Sequence, residues 1–218
     1  MKSSIGRKIL MALSGFFLLF FLLMHLSINL LSVFSEDAFN TVSHFMGYNP
    51  LIQFLMQPIL IAGIIFHLVM GMVLEMKNRK ARGVSYAKNN AAANSTWMSR
   101  NMIITGIMIL LFLVAHMIDF WAHEIDYKYI AANAEDPTRY WEELHHKMGD
   151  PLHVGIYVVA FVFLSLHLMH GFQSAFQSVG FNHNKYTPAI KKLGTLYAIL
   201  VPLGFIFVAL FHFLTQSH

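Results

Sequence analysis

Four histidines lie deep inside long hydrophobic stretches of this sequence, one in each of the first four stretches: His25, His67, His116 and His167. An imidazole inside an apolar run is costly to bury, and it indicates function when the run spans a membrane. The simplest alternative for any one of them, such as His67, is a hydrogen bond to a neighbouring helix. Four histidines in four separate stretches instead favour a shared chemical role.

The stretches that carry these histidines predict the fold. The chain has 218 residues, of which 56% are hydrophobic and 12% charged, whereas a soluble domain carries about 25% charged residues. The charges cluster and leave five long uncharged runs, each able to span a membrane as a helix. We expect an all-α integral membrane bundle of five transmembrane helices, forming one domain over residues 1–218. The spans are expected at about 9–34, 51–76, 101–121, 151–177 and 193–214.

The remaining segments carry little predicted structure. The apolar N-terminal run continues to Phe34, too far for a cleaved signal peptide, so we interpret it as a retained first span. An acidic link joins the first two spans. The longest connection is expected over residues 122–150, where Pro137–Met148 is predicted as a short interfacial helix, with a plain surface loop as the alternative. There is no cysteine, which excludes disulfides and Cys-ligated zinc or iron–sulfur clusters within this chain.

Lysine and arginine are unevenly divided between the two ends of the predicted spans. Three lie in the N-terminal segment, six follow the second span and three lie between the fourth and fifth, so twelve of the fifteen share one side. Lys128, Arg139 and Lys147 lie on the other side. The positive-inside rule predicts a cytoplasmic N-terminus and an outer C-terminus. Because these basic residues lie in short loops beside spans, the net charge of +4 does not indicate nucleic acid.

The four histidines pair by depth in the predicted membrane. His25 and His116 each lie fifteen or sixteen residues into a span that begins on the cytoplasmic side, which places both about 22–24 Å from that side. His67 and His167 lie sixteen residues into spans that begin outside, about 24 Å from the outer side. We call His25 and His116 the outer pair, and His67 and His167 the inner pair.

Two imidazoles at one depth suit the two axial positions of a haem iron. Two neutral histidine ligands give a six-coordinate haem that transfers electrons and has no open site for oxygen. Zinc or copper needs further ligands at the same level, and the sequence suggests no carboxylate near either pair. Glycines beside the histidines are compatible with a planar cofactor such as a haem, although close helix packing is the alternative. These are Gly15, Gly63, Gly71, Gly106 and Gly171. His170, one turn after His167, competes for the same role.

Five segments together resemble one known family. They are SGFFLLFFLLMHLSIN from Ser14, DAFNTVSHFMGYNPL from Asp37, FHLVMGMVLEMKNRKAR from Phe66, HMIDFW from His116 and HLMHGFQSAFQSVGFNHNKYTP from His167. They resemble the five-span, dihaem cytochrome b membrane subunit of bacterial succinate dehydrogenases and fumarate reductases, the succinate:quinone oxidoreductases. The resemblance covers nearly the whole chain.

This resemblance implies an electron-transfer subunit in the bacterial cytoplasmic membrane. It implies two b haems held by His25, His67, His116 and His167, and it selects His167 over His170. A flavoprotein subunit would oxidise succinate, and an iron–sulfur subunit would pass the electrons to the inner haem. The outer haem would then reduce a membrane quinone, which we expect to be menaquinone. The chain itself would carry electrons only, so no catalytic residue is expected in it.

Further candidate residues follow from their positions near the span ends. His44, Asn29 and Gln53 are candidates for a quinone site on the outer side. Trp97, Ser99 and Arg100 are candidates for binding the propionates of the inner haem, as is His170. Interfacial anchoring is the alternative for the first six. At the level of function, the alternatives are a dihaem quinone cytochrome of another respiratory complex and a haem-free proton-coupled transporter.

Overall fold

The computed structural model describes residues 4–81 and 101–216. Within those residues there are no strands, and five helical segments are long and apolar enough to cross a membrane, which confirms the predicted fold class. The spanning helices are α1 (Ser4–Phe34), α3 (Gln57–Ala81), α4 (Met102–His116), α6 (Pro151–Ser178) and α7 (Thr187–Leu214), with the shorter α2 (Glu36–Tyr48) and α5 (Arg139–Lys147) between them.

The third span is longer than the sequence predicted. Beyond His116 the chain continues through a wide-turned π-helical stretch, Met117–Ala122, then one α-turn and a second π-helical stretch that ends at Ile130. The predicted end at Trp121 is therefore wrong. The charged residues of this segment favoured a loop, but Glu124 and Lys128 lie one turn apart and form an ion pair of 2.5 Å within the helix. Pairing of this kind lets charged residues continue a helix.

Two short helices lie at the end of the bundle nearer His25 and His116, which we call the outer end after the outer pair. The acidic link is itself helical as α2, because Ser35 caps it by accepting the backbone N–H of Ala38 at 3.2 Å. The predicted short helix in the long connection is confirmed as α5. The two helices are joined by the backbone N–H of Trp141, which donates to Asn40 Oδ1 at 2.8 Å. This end of the bundle is therefore covered by ordered structure.

The helix α6 occupies the centre and packs against α1, α4 and α7, while α3 packs mainly against α1. Close approach depends on glycine at Gly63 and Gly204. A Cβ at Gly63 would lie 2.7 Å from the ring of Phe17, and one at Gly204 would lie 2.8 Å from Leu26 Cδ2. Membrane helices use small residues in this way to bring their backbones together. This packing places the four histidine-bearing helices around a common interior.

Candidate functional site

The outer pair comes together between α1 and the end of α4. The ring centroids of His25 and His116 lie 5.7 Å apart, and the ring planes are nearly perpendicular. Aromatic rings surround them: Phe21 stacks on His25, Phe112 stacks on His116, and Phe205 of α7 lies 5.7 Å from His25. The structure thus places two imidazoles side by side in an apolar, aromatic setting.

The outer pair has the donor set and spacing for one shared iron. Metal–imidazole bonds of about 2 Å put the ring centroids of two opposed ligands roughly 6 Å apart, and the observed separation is 5.7 Å. Nδ1 of His116 is buried and has no hydrogen-bond partner among the described residues. A buried polar nitrogen without a partner calls for an explanation. Since the donors are two neutral imidazoles, these residues fit a haem better than a zinc ion, which needs a fuller ligand set.

The inner pair is held by hydroxyl groups on the neighbouring helices. Nδ1 of His67, on α3, lies 2.9 Å from Ser14 Oγ on α1. Nδ1 of His167, on α6, lies 3.2 Å from Thr105 Oγ1 on α4. The alternative noted for a lone histidine, a hydrogen bond to a neighbouring helix, is therefore what His67 makes. That bond uses one ring nitrogen only and leaves Nε2 for a metal, as is usual for ligating histidines.

The glycines near the histidines divide into two groups. A Cβ at Gly15 would lie 3.8 Å from Cε1 of His67, and one at Gly106 would lie 3.8 Å from Cε1 of His167. Both glycines therefore border the inner pair. The nearest contacts of Gly63, Gly71 and Gly171 are instead Phe17, Met11 and Met102, which agrees with ordinary helix packing.

A carboxylate lies near the outer pair, although the sequence had suggested that there is none near either pair. Asp119 follows His116 by one turn, in the π-helical stretch, and its charge acts on that ring. Tyr157 donates its O–H to Asp119 Oδ2 at 2.8 Å, and Nε2 of His153 lies 3.2 Å from the same oxygen. Lys147 Nζ lies 3.5 Å from Oδ1. The expectation of no nearby carboxylate is therefore wrong, because a side chain counted as part of the span end turns inward.

An ionic network closes the outer end beyond this cluster. The guanidinium of Arg139 is 7% exposed and bonds the carboxylates of Glu124 and Glu143. Burial alone would lower the pKa of Arg139, but the hydrogen bonds and charges of the two glutamates outweigh it and raise the pKa above its ordinary value. Burial, and next the charge of Glu124, raise the pKa of the Tyr140 phenol. The network therefore keeps a charged arginine and a neutral tyrosine.

The three quinone candidates each have a different partner. Nδ2 of Asn29 donates to the backbone oxygen of His25 at 2.8 Å, on its own helix. Nε2 of His44 lies 2.8 Å from Glu135, and the amide of Gln53 donates to the Tyr129 hydroxyl. These bonds do not assemble the three side chains into one cluster.

The propionate candidates are only partly covered by the structure. His170 is half-buried on α6, and its neighbour His167 is the residue that contacts Thr105. The remaining candidates, Trp97, Ser99 and Arg100, lie outside the described residues. In the part of the chain that is described, no group of three or more His, Asp or Glu side chains could hold a metal ion by itself.

Ser14 and Thr105 were missed from the sequence, although a signal was present. Ser14 and Gly15 precede His25 as SGFFLLFFLLMH, and Thr105 and Gly106 precede His116 as TGIMILLFLVAH. In both spans a hydroxyl residue and a glycine come eleven and ten residues before the histidine. Eleven residues make about three helical turns, so the hydroxyl and the histidine share a face. Spans I and III thus each present one outer ligand and one hydroxyl for the inner pair.

Comparison with known proteins adds one similarity. The chain is 25% identical over 193 residues to the succinate dehydrogenase cytochrome b558 subunit of Bacillus subtilis (strain 168), and the alignment covers 87% of this chain and 85% of that protein. No family model matches the chain, and no solved structure matches it. The similarity supports the resemblance drawn from the sequence segments.

Proposed function

We propose that this chain is the cytochrome b membrane subunit of a succinate:quinone oxidoreductase. In this role it anchors the flavoprotein and iron–sulfur subunits and carries electrons between them and a membrane quinone. The observation that carries the proposal is that the rings of His25 and His116, from two spans, lie 5.7 Å apart, while His67 and His167, from two further spans, each bond a hydroxyl on a neighbouring helix. The similarity to a named succinate dehydrogenase cytochrome supports the choice of complex.

Two b haems are the cofactors of this proposal. His25 and His116 would hold one, and His67 and His167 the other. When bound, a bis-imidazole haem supplies reversible one-electron transfer at an iron that has no open coordination site. His170 is kept as a candidate for a propionate, because the contact of His167 with Thr105 supports His167 as the ligand.

The chain's own residues provide the environment that this chemistry needs. The aromatic rings of Phe21, Phe112 and Phe205 exclude water from the outer pair. Ser14 and Thr105 hold the inner imidazoles against their neighbouring helices. Low polarity around a metal ligand controls solvent access and redox potential. The protein therefore orients the ligands and sets the surroundings, and no side chain performs a covalent step.

The charge distribution supports the orientation of the complex. The sequence predicts that twelve of the fifteen lysines and arginines lie on the side of the inner pair, which we propose to be cytoplasmic in the bacterial membrane. A basic face suits docking of a partner with an acidic surface, here the iron–sulfur subunit. Quinone, with menaquinone as the expected species, would react near the outer pair. His44, Asn29 and Gln53 stay candidates for its site.

One preparation tests the proposal. The complex is purified from bacterial membranes through a tag on this chain, and its haem is quantified by pyridine haemochrome and a dithionite-reduced spectrum. We expect two b haems per chain, co-purifying flavoprotein and iron–sulfur subunits, and succinate:quinone reductase activity. A haem-free chain would contradict the proposal and favour the proton-coupled transporter. Two haems with a different soluble partner would favour the cytochrome of another respiratory complex.

A further inference from the structure

The two hydroxyl contacts of the inner pair are built in the same way. Ser14 and Thr105 lie on α1 and α4, and each occupies the position eleven residues before the outer-pair histidine of its own helix. This spacing separates the hydroxyl from that histidine by about 16 Å along the helix axis, on one face. Each hydroxyl reaches a histidine on another helix. Because the same spacing and the same kind of contact occur in two spans, we interpret them as a structural feature of the bundle rather than a coincidence of packing.

The proton of each hydroxyl already has an acceptor. Ser14 Oγ donates to the backbone oxygen of Met11 at 2.8 Å, and Thr105 Oγ1 donates to that of Met102 at 3.0 Å. A hydroxyl carries one proton and can still accept through its lone pairs. The contact with the imidazole is therefore made by Nδ1–H donating to the hydroxyl oxygen. In this tautomer Nδ1 carries the proton and Nε2 carries the free lone pair.

We infer that Ser14 and Thr105 are positioning residues that fix the tautomer and the ring orientation of His67 and His167, so that Nε2 of each is presented to the iron. The inference rests on the proposed function, because it assigns these hydroxyls a role toward the inner haem. A metal-ligating histidine commonly donates its other N–H to such a partner, and this bond raises the basicity of the ligating nitrogen.

Burial makes the two contacts effective. Ser14 is 8% exposed and Thr105 is 1% exposed, so water does not compete for either hydroxyl. Gly15 and Gly106 follow directly in the sequence and border the same two rings, since a Cβ at either would lie 3.8 Å from Cε1 of the histidine. His116 of the outer pair differs, since its Nδ1 has no partner among the described residues. Among the described residues, His116 therefore has no hydroxyl contact of the kind that His67 and His167 make.

Loss of one hydroxyl should change the reduction potential of the inner haem. A less basic ligand stabilises ferric iron less, so the midpoint potential should rise. Removing an outer-shell partner typically changes metal affinity by 10–100-fold. If only the ferric form loses about tenfold, the midpoint rises by about 59 mV for a one-electron couple. The outer haem should keep its potential.

The test uses the purified complex and two substitutions, Ser14→Ala and Thr105→Val. Both haems are titrated spectroscopically against potential and assigned with single-haem variants that lack His25 or His67. Ser14→Thr and Thr105→Ser keep the hydroxyl and should restore the wild-type potential. Ser27→Ala is the matched control, because Ser27 is an exposed serine of α1 whose hydroxyl donates only to its own backbone.

The outcomes separate this inference from the proposed function. A selective rise at the inner haem, or selective loss of that haem with rescue by the hydroxyl-retaining variant, supports the inference. Unchanged or equally shifted potentials in a protein that holds two haems overturn it and leave the proposed function standing. A wild-type protein without haem overturns the proposed function itself. If the Ser14→Ala protein does not accumulate in the membrane, the Thr105→Val protein tests the same haem through its other ligand, His167.

Discussion

The inner pair and the outer pair each consist of two imidazoles, but the surroundings of the two pairs differ. The inner imidazoles each bond a buried hydroxyl on another helix. The outer imidazoles pack among aromatic rings, with an unpartnered Nδ1 on His116 and the Asp119 carboxylate one turn away. In the inference above, hydrogen bonds determine the inner tautomers, whereas the outer pair lies among aromatic rings and near a carboxylate.

In the proposed function, this difference would give the two haems unlike surroundings. A fixed Nδ1–H bond makes a ligand more basic and stabilises the oxidised metal. A nearby carboxylate does the same through charge, but its effect depends on neighbours such as Lys147 and His153. The inner level is thus set by local bonds that salt and pH hardly affect. The outer level is set by a charged cluster that lies closer to the outer surface.

The largest expected effect comes from removing a histidine of either pair. Alanine at His67 or His167 should remove the inner haem, and alanine at His25 or His116 should remove the outer one. An iron with one axial ligand missing loses the six-coordinate site that holds it. Haem content measured by pyridine haemochrome should fall from about two per chain to one, while the remaining haem keeps its potential.

His170→Ala is the matched control for these substitutions. His170 lies on the same helix as His167, one turn away, and should be dispensable for both haems. If His170→Ala lost the inner haem while His167→Ala retained it, the ligand on α6 would be His170, and the role inferred for Thr105 would fail with it.

The sequence predicted that His25 and His116 lie at one level, because depth follows from helical rise, and their rings are 5.7 Å apart in the structure. It did not predict which hydroxyls bond the inner pair, since a serine or threonine in a membrane helix usually bonds its own backbone, and Ser14 does that as well. Gly15 was assigned to His25 of its own helix, whereas it borders His67 of another. Contacts between helices depend on their rotation and neighbours, and one sequence does not specify these.

The helix ends show a second limit of the sequence interpretation. The charges between Glu124 and Lys128 suggested a loop, yet Glu124 pairs with Lys128 inside the helix and with Arg139 across the outer end. Charge patterns identify the end of a span only when the charges are solvated. Here they are satisfied within the protein, so the helix continues to Ile130.

An intermediate effect is expected from Arg139→Met. Arg139 is 7% exposed and pairs with Glu124 and Glu143. Removing one partner of a buried ion pair costs about 3 kcal/mol, because the remaining charges are left unpaired. The thermal midpoint of the complex in detergent should fall, and the outer haem should be lost before the inner one. Lys192→Met, an exposed substitution near the other end of the bundle, is the control. Simultaneous loss of both haems would show that the network stabilises the whole bundle instead of one end.

The smallest expected effect tests whether charge distinguishes the outer level. Asp119→Asn keeps the shape of the side chain and an oxygen for the Tyr157 hydroxyl, but it removes a negative charge close to His116. Ferric iron then loses a stabilising charge, and the outer midpoint should rise by on the order of 1 kcal/mol, or roughly 40 mV, at an effective dielectric of about 20. Tyr157→Phe should lower the outer midpoint potential by a smaller amount, because the Asp119 carboxylate keeps its charge and loses the hydrogen-bond donor that partly offsets it. Spectroscopic titration measures both shifts. An equal shift at the inner haem, or shifts of one sign in the two variants, would contradict a local charge effect and leave the aromatic packing as the main difference between the two levels.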